Sequence, residues 1–143
     1  MTTCREVMTP DPVCVLPGDT VDKAAQIMKN EDVGSVPVVD NHQSRKLMGI
    51  LTDRDLALKV VAEGRDPHTS RIQDVMTWNV TTCRVDDDVQ QAMEAMAEHQ
   101  VRRIPVVDKN SVIVGIISQA DVATRTENTQ KTGEIVEEIS RPA

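Results

Sequence analysis

The chain almost lacks aromatic side chains: it has no Phe, no Tyr and a single Trp, Trp78. Apolar residues still make up 39% of the 143 positions, so a core is expected, and it must be aliphatic. The seven methionines are interpreted as core filling, because a flexible thioether adapts to irregular gaps. A chain of this length suits one compact domain or two small fused units.

Long apolar runs and an excess of positive charge are also missing. No run approaches the roughly 18 apolar residues that a membrane-spanning helix needs, and no apolar segment follows residues 1–5 as in a signal peptide. The formal net charge is −7, whereas duplex nucleic acid is bound through a basic face. We therefore expect a soluble cytoplasmic protein with no membrane and no nucleic-acid partner.

Cysteine is scarce, and its spacing does not indicate a metal site. Cys4, Cys14 and Cys83 show no CxxC or CxxH pattern, and an odd number of cysteines is typical of reduced thiols in a cytoplasm. A disulfide that involves Cys14 stays open as an alternative. The three histidines (His42, His68 and His99) are isolated in the sequence, so no metal ligand is predicted.

One stretch, by contrast, occurs twice. The first copy reads Val36-Pro37-Val38-Val39-Asp40 and then Gly49-Ile50-Leu51-Thr52-Asp53-Arg54-Asp55. The second reads Ile104-Pro105-Val106-Val107-Asp108 and then Gly115-Ile116-Ile117-Ser118-Gln119-Ala120-Asp121. Val7-Met8-Thr9 likewise matches Val75-Met76-Thr77 at an offset of 68 residues. A duplicated unit with pseudo-twofold symmetry fits this repeat better than a solenoid does.

Each copy predicts the same order of elements. An apolar stripe at helical spacing predicts a helix after Asp19 or Thr20 and another from Asp88 to His99. Two buried strands follow, and Thr52 and Ser118 then begin a further helix, which in the first copy runs to about Ala62. Brief strands are expected at 13–15 and 81–83. The predicted division is a first unit at 1–64, a linker at 65–70, a second unit at 71–125 and a tail at 126–143 with a short helix near 133–139.

These motifs resemble the tandem CBS domains of a Bateman module, as found in small stand-alone bacterial proteins of the hypoxic response type. The resemblance spans roughly residues 2–125, because the Val-Met-Thr opening, the Pro-Val-Val-Asp strand and the hydroxyl-x-x-Asp ending recur in the family's order. It implies an α/β (α+β) fold of two pseudo-symmetric β-α-β-β-α units packed sheet to sheet. It also implies a homodimer and adenosyl-containing ligands in the clefts between units.

The resemblance implies a set of nucleotide-binding residues in each copy. A carboxylate at Asp55 or Asp121 can accept both ribose hydroxyls, and Thr52, Asp53 or Ser118 at the start of a helix can meet a phosphate. Arg102 and Arg103 precede the second Pro-Val-Val-Asp strand and are predicted to contact phosphate, whereas the first copy has Gly34 and Ser35 there. The adenine edge is predicted at Pro12, Val13 and Cys14 and at Val80, Thr81 and Thr82.

A purely structural interpretation accounts for part of the same motif. Thr52 and Ser118 are good helix N-caps, and a carboxylate three residues later favours the helix dipole without any ligand. Cys83, aligned with Val15, is expected to be buried, and Cys14, aligned with Thr82, is expected to be exposed.

The function predicted from these residues is a regulatory sensor of AMP, ADP or ATP that needs no cofactor and acts in trans on an unidentified protein partner. The alternatives are a ligand-independent stress-response scaffold and a thiol- or metal-responsive switch that uses Cys4 and Cys14. An enzyme is not expected, because no nucleophile–base pair and no phosphate-cradling glycine loop is present in the sequence.

Overall fold

The computed structural model describes residues 1–125, and the predicted tail helix near 133–139 lies outside this range. Five α-helices occur in the described part of the chain: α1 (Cys4–Val7), α2 (Val21–Glu31), α3 (Asp53–Leu56), α4 (Val89–His99) and α5 (Gln119–Arg125). The strands are β1 (Thr9–Pro10), β2 (Ser35–Val39), β3 (Leu47–Thr52), β4 (Thr77–Trp78), β5 (Cys83–Arg84), β6 (Arg103–Val107) and β7 (Ile113–Ser118). The α/β fold class predicted from the sequence is confirmed.

The chain forms two compact units, and these do not follow the order of the sequence copies. Within the described residues, one unit consists of 13–80, and the other combines 1–12 with 81–125. We call them the central unit and the terminal unit. The first twelve residues therefore pack with the second copy of the repeat rather than with their own. The division 1–64, 65–70, 71–125 and 126–143 describes the sequence repeat and stays a prediction.

Each unit has a small sheet with the same strand pattern. In the central unit the order is β2-β3-β4, and in the terminal unit it is β5-β6-β7-β1. The two long strands of each sheet are antiparallel, with Val38 opposite Gly49 and Val106 opposite Gly115. The short strand beside each of these pairs is antiparallel: β4 pairs with β3, and β1 pairs with β7. The terminal sheet has one strand more, β5, which pairs in parallel with β6. The internal duplication predicted from the sequence is thus visible in the backbone.

The two long helices bury the predicted apolar stripes. Helix α2 buries Val21, Ala24 and Met28, and α4 buries Val89, Ala92, Met93, Met96 and Ala97. Each helix ends at a residue in the left-handed conformation, Asp32 (φ 55°) and Gln100 (φ 54°), which lie 68 positions apart. These stripes supply much of the two aliphatic cores, as the absence of aromatic side chains requires.

Two glycines allow the Val-Met-Thr segments to lie against the sheets. A Cβ on Gly49 would run into the carbonyl oxygen of Thr77 and come within 2.5 Å of Met76 Cε. A Cβ on Gly115 would lie 2.5 Å from Met8 Sδ. Glycine is needed at both positions because the backbone of a Val-Met-Thr segment approaches closely. The glycine of each sheet and the Val-Met-Thr segment that packs on it are therefore complementary in shape.

Several local predictions need correction. The strand expected at 13–15 is only an isolated bridge, from Val15 to Val38, and the strand expected at 81–83 is β5, displaced toward Arg84. The helix expected to run to Ala62 continues from α3 as a π-helical turn over Ala57–Val61. Strands β1 and β4 were not predicted, because a two-residue strand carries no periodic signal.

The segment 65–70 is bonded into the central unit. Val21 donates its backbone N–H to Ser70 O (3.0 Å), and Ile72 donates to Asp19 O (2.9 Å). His68 Nδ1 lies 2.9 Å from Asp22 Oδ2. This segment therefore anchors the start of α2.

Candidate nucleotide-binding sites

Thr52 and Asp55 form a reciprocal capping box at the end of β3. The Asp55 N–H donates to Thr52 Oγ1 (3.0 Å), and the Thr52 N–H donates to Asp55 Oδ2 (3.0 Å). The box forms because the hydroxyl and the carboxylate are three residues apart at a helix start. Asp55 is buried at 8% exposure, whereas Asp53 is exposed and its carboxylate accepts from the N–H of Arg54. Asp55 is thus the aspartate that the fold holds rigidly.

The terminal unit repeats this arrangement at Ser118 and Asp121. The Asp121 N–H donates to Ser118 Oγ (3.1 Å), and the Ser118 N–H donates to Asp121 Oδ2 (3.0 Å). In each box only one carboxylate oxygen caps the helix. A carboxylate offers about four lone-pair positions, so each aspartate has acceptor capacity beyond its capping bond.

Basic side chains lie at the start of β6, beside Ser118. Arg103 is directly opposite Ser118 across the β6–β7 ladder, so their side chains lie on the same face of the sheet. Arg102 is exposed, and its carbonyl oxygen accepts from the Gln119 N–H (3.0 Å). This geometry places the Arg103 side chain on the face of Ser118 and the Arg102 backbone beside the start of α5.

The central unit has small residues at the same register. Ser35 lies opposite Thr52, and the carbonyl oxygen of Gly34 accepts from the Asp53 N–H (2.9 Å). Ser35 is buried at 5% exposure. The two sites therefore differ in local charge at the position where the terminal unit has Arg103.

The predicted adenine edges run beside β2 and β6. The Val15 N–H donates to Pro37 O (3.0 Å), and the Val39 N–H donates to Val15 O (2.9 Å), so Val13 and Cys14 lie alongside the start of β2. In the terminal unit Cys83 pairs in parallel with Val106, which places Thr81 and Thr82 alongside the start of β6. Two strand spacings, about 10 Å, separate each edge from the capping box, a span that suits a nucleoside.

Pro12 and Val80 fall on the other side of the unit boundary from their sequence neighbours. Pro12 is the last residue of the arm in the terminal unit, and Val80 is the last residue of the central unit. Val13 and Cys14 therefore lie in the same unit as Thr52, Asp53 and Asp55. Thr81, Thr82, Arg102 and Arg103 lie in the same unit as Ser118 and Asp121.

Cys14 is buried at 8% exposure, which corrects the expectation that it would be exposed. Its Sγ accepts a hydrogen bond from Arg45 Nη2 (3.3 Å). Burial raises the pKa of the Cys14 thiol, and the Arg45 guanidinium opposes that increase. Val13, at 43% exposure, is the accessible member of this edge.

Sequence reasoning missed two polar side chains at these sites. Lys59 Nζ lies 3.1 Å from Asp55 Oδ1 and donates to Val75 O (3.1 Å). Gln119, directly after Ser118, has a buried side-chain oxygen with no hydrogen-bond partner within residues 1–125. The Asp55-Lys59 spacing of four residues was a visible signal for an ion pair on a helix. Nothing in the sequence distinguished Gln119.

Of helices in the range 1–125, none is long and apolar enough to cross a membrane. Nor does this part of the chain contain a group of three or more His, Cys, Asp or Glu side chains that could hold a metal ion.

The sequence matches the family model of the CBS domain twice, at residues 4–62 and 72–127. The CBS domain-containing protein YhcV of Bacillus subtilis is 36% identical over 140 residues, which cover 98% of this chain and 96% of YhcV. Hypoxic response protein 1 of Mycobacterium tuberculosis is 36% identical over 123 residues, which cover 86% of this chain and 84% of that protein. The inosine-5'-monophosphate dehydrogenase of Methanocaldococcus jannaschii is 34% identical, but only 24% of its length is matched.

Solved structures show the same fold. A crystal structure of Hypoxic Response Protein I with two coordinated zinc ions has a TM-score of 0.77 at 35% identity, covering 87% of this chain and 99% of that one. The CBS domain pair of protein MJ0100 in complex with 5'-methylthioadenosine and S-adenosyl-L-methionine has a TM-score of 0.78 at 28% identity, covering 87% and 94%. CBSX2 in complex with AMP has a TM-score of 0.72 at 26% identity, covering 87% and 95%.

Proposed function

The chain belongs to the CBS domain family, and on that premise we propose that it is a regulatory module that binds an adenine nucleotide and acts in trans on a partner protein. Its role is to report ligand occupancy rather than to catalyse a reaction. Relatives of similar length, matched over 96% and 84% of their own chains, support a regulatory module of this size. We place it in the cytoplasm as a homodimer.

The observation that carries this proposal is the doubled capping box with a strand edge about two strand spacings away. Ser118 and Asp121 stand at one end of the terminal site, and Thr81 and Thr82 stand at the other. A ribose presents two adjacent hydroxyl groups, and hydrogen bonds to a carboxylate contribute about 1.5–3 kcal/mol each. Asp121 is therefore assigned to the ribose and Ser118 to the phosphate.

The arginines distinguish the two sites. Arg102 and Arg103 supply positive charge beside Ser118, so the terminal site favours ligands with phosphate groups. The central site has Asp55 and Thr52 but Ser35 in place of Arg103, and it favours ligands with less negative charge. Related domain pairs that bind AMP in one case and S-adenosyl-L-methionine in another support both ligand classes.

Calorimetric titration of ligand-free protein with AMP, ADP, ATP and S-adenosyl-L-methionine tests the proposal. Asp121→Asn is the informative variant, because an amide oxygen can still accept from the Ser118 N–H while the charge is lost. We expect it to weaken nucleotide binding at least about tenfold, which is roughly 1.4 kcal/mol. Asp86→Asn, an exposed position in the same unit, is the matched control and should bind as the unaltered protein does.

A second function is favoured by one specific observation: both carboxylates already act as helix caps, which needs no ligand. The side chains of Leu58 (48% exposed) and Val61 (76% exposed) also offer apolar surface to a protein partner. On this alternative the chain is a ligand-independent interaction protein. Flat titrations with all four ligands, together with a stable co-purifying partner, would favour it over the nucleotide sensor.

A further inference from the structure

Two of the three cysteines, Cys4 and Cys83, lie together in the core of the terminal unit. Both belong to one cluster of buried side chains, with Cys4 at 0% and Cys83 at 6% exposure. The Cys83 S–H donates to the Pro105 carbonyl oxygen (3.9 Å), and each thiol shifts the pKa of the other. The two residues are 79 positions apart in sequence, so only the fold reveals the pair.

The backbone holds this contact in place independently of the thiols. The Cys4 N–H donates to Asp87 O (2.9 Å), and the next N–H, of Arg5, donates to Val85 O (3.1 Å). Thr3 forms an antiparallel bridge with Asp88. The first turn of α1 is therefore fixed against the segment that follows β5, and this places the Cys4 side chain in the buried cluster that also contains Cys83.

The interaction between the two side chains makes the thiols chemically unequal. Cys83 lowers the pKa of Cys4, although burial and the carboxylates of Asp87 and Asp88 act against that decrease. Cys4, followed by burial, raises the pKa of Cys83. A thiolate is the nucleophile in thiol oxidation, so Cys4 is the side chain that reacts first.

We propose that Cys4 and Cys83 are an oxidation site at which a peroxide produces a reversible disulfide between the N-terminal arm (residues 1–12) and β5. Cys4 sulfur attacks one peroxide oxygen, the O–O bond breaks, and the other oxygen leaves as water after taking up a proton. Cys83 sulfur then attacks the Cys4 sulfenic acid, the S–S bond forms, and the S–O bond breaks to release a second water. The two thiols lose two electrons and two protons, and hydrogen peroxide is reduced to two waters.

The disulfide would connect the arm covalently to the unit in which it packs. In the reduced protein the arm is held by its backbone pairs, by β1 against β7 and by the buried side chains of α1. Closing a loop of this length removes conformational freedom mainly from the unfolded chain. Because both thiols are buried, the reaction requires brief local opening of the arm, and we expect oxidation over minutes rather than seconds.

Cys14 is not part of this site. It lies in the central unit, and its sulfur accepts a hydrogen bond from Arg45. The pair expected from the sequence for a thiol switch, Cys4 with Cys14, is therefore replaced by Cys4 with Cys83. The proposal uses no residue of the nucleotide sites, so it stands or falls independently of the proposed function.

Peptide mapping identifies the pair directly, because trypsin places each cysteine in a different peptide. Cleavage after Arg5, Lys23, Arg71 and Arg84 yields 1–5, 6–23 and 72–84, which carry Cys4, Cys14 and Cys83. After mild treatment of the native protein with hydrogen peroxide, we expect linked 1–5 and 72–84. The thiol count should fall from three to one, and dithiothreitol should restore it. The reference is the same oxidation in urea, because in the unfolded chain any two of the three cysteines can form a disulfide.

Stability provides the second readout. Oxidation should raise the melting temperature by an amount on the order of 5–10 °C, both in the unaltered protein and in Cys14→Ala. Cys83→Val, which introduces the residue found at the equivalent Val15, should show no increase on oxidation. A dominant linkage through the 6–23 peptide, or three free thiols after peroxide that oxidises a small dithiol fully, would overturn the proposal.

Discussion

Lys59 holds the Asp55 carboxylate oxygen that the capping box leaves available. Its ammonium lies 3.1 Å from Asp55 Oδ1 and donates to Val75 O at 3.1 Å, while Asp55 Oδ2 accepts from the Thr52 N–H. A ribose hydroxyl at this site must therefore share Oδ1 with Lys59 or displace it. In the central site, the Lys59 ammonium group therefore competes with the ribose hydroxyl groups of a ligand for Asp55 Oδ1.

Replacement of Lys59 tests this competition. In an Asp121→Asn background, where the terminal site is weakened, we expect Lys59→Met to increase adenosine affinity about fivefold, roughly 1 kcal/mol. The gain for AMP should be smaller, because the variant also loses a positive charge. Unfolding free energy should fall by at most about 1 kcal/mol, because the Lys59 side chain is 44% exposed and solvent screens the pair. Calorimetry and urea unfolding measure both effects.

Lys23→Met is the matched control for this variant. Lys23 and Asp19 form another pair at four-residue spacing in the same unit, with a distance of 3.3 Å and a side chain that is 53% exposed. Its loss should leave adenosine affinity unchanged. Weaker adenosine binding in Lys59→Met would show instead that the ammonium assists the ligand, and the competition argument would be wrong.

Substitution by alanine of the glycines at the centres of β3 and β7, Gly49 and Gly115, should lower the free energy of unfolding by different amounts. At Gly49 the added Cβ meets the Thr77 carbonyl, which is fixed by the β3–β4 pairing, so we expect Gly49→Ala to cost about 2–3 kcal/mol. At Gly115 it meets the flexible side chain of Met8 first, at 2.5 Å, and Thr9 O only at 3.0 Å. Gly115→Ala should therefore cost about 1 kcal/mol.

Urea unfolding of both variants, with Gly18→Ala as control, measures this difference. A Cβ on Gly18 has no heavy atom within 4 Å, so that substitution should be neutral or slightly stabilising. If Gly115→Ala is as costly as Gly49→Ala, the side chain of Met8 does not yield and the distinction between backbone and side-chain contact fails.

The sequence predicted the elements well because each long element has a local signal. The stripe in α2 and its repeat in α4 are buried as periodicity requires, and the capping boxes follow from residues three apart. The assignment of Val-Met-Thr to a sheet had no such signal. Both copies carry the same Val-Met-Thr motif and the same glycine. Each Val-Met-Thr segment could therefore pair with the strand of its own copy or with that of the other copy, with equivalent side-chain contacts. Only the path of the chain in the fold determines which of the two pairings forms.

The helix caps at the candidate sites were predictable, because a hydroxyl-x-x-Asp ending is a local pattern. The binding role of Asp55 and Asp121 stays a prediction. The Arg45 contact with Cys14 was not predictable, because it depends on a turn residue at φ 55° that brings a side chain back over 31 positions. The shared cluster of Cys4 and Cys83 was also not predictable, because it follows from the packing of the arm with the second copy and no local pattern shows that packing.

The Val-Met-Thr segment of the first copy pairs with β7, and that of the second copy pairs with β3. Matched substitutions in the two segments therefore serve as controls for each other. Val7 (0% exposed) packs in the terminal unit, and its repeat partner Val75 (2% exposed) packs in the central unit. Truncation to Ala removes two buried methyl groups, so each variant should lose about 2 kcal/mol. Val7→Ala should reduce amide hydrogen-exchange protection in β7, and Val75→Ala should reduce it in β3.

Native-state hydrogen exchange resolves these two outcomes because local opening exposes the strand next to the weakened contact before the rest of the molecule unfolds. Val7 lies 40 or more residues before β3 and more than 100 residues before β7. Loss of protection in β7 would therefore reflect spatial packing rather than proximity in sequence. The reverse pattern, with Val7→Ala exposing β3 and Val75→Ala exposing β7, would mean that each copy of the repeat folds on its own segment and that the arm does not belong to the terminal unit.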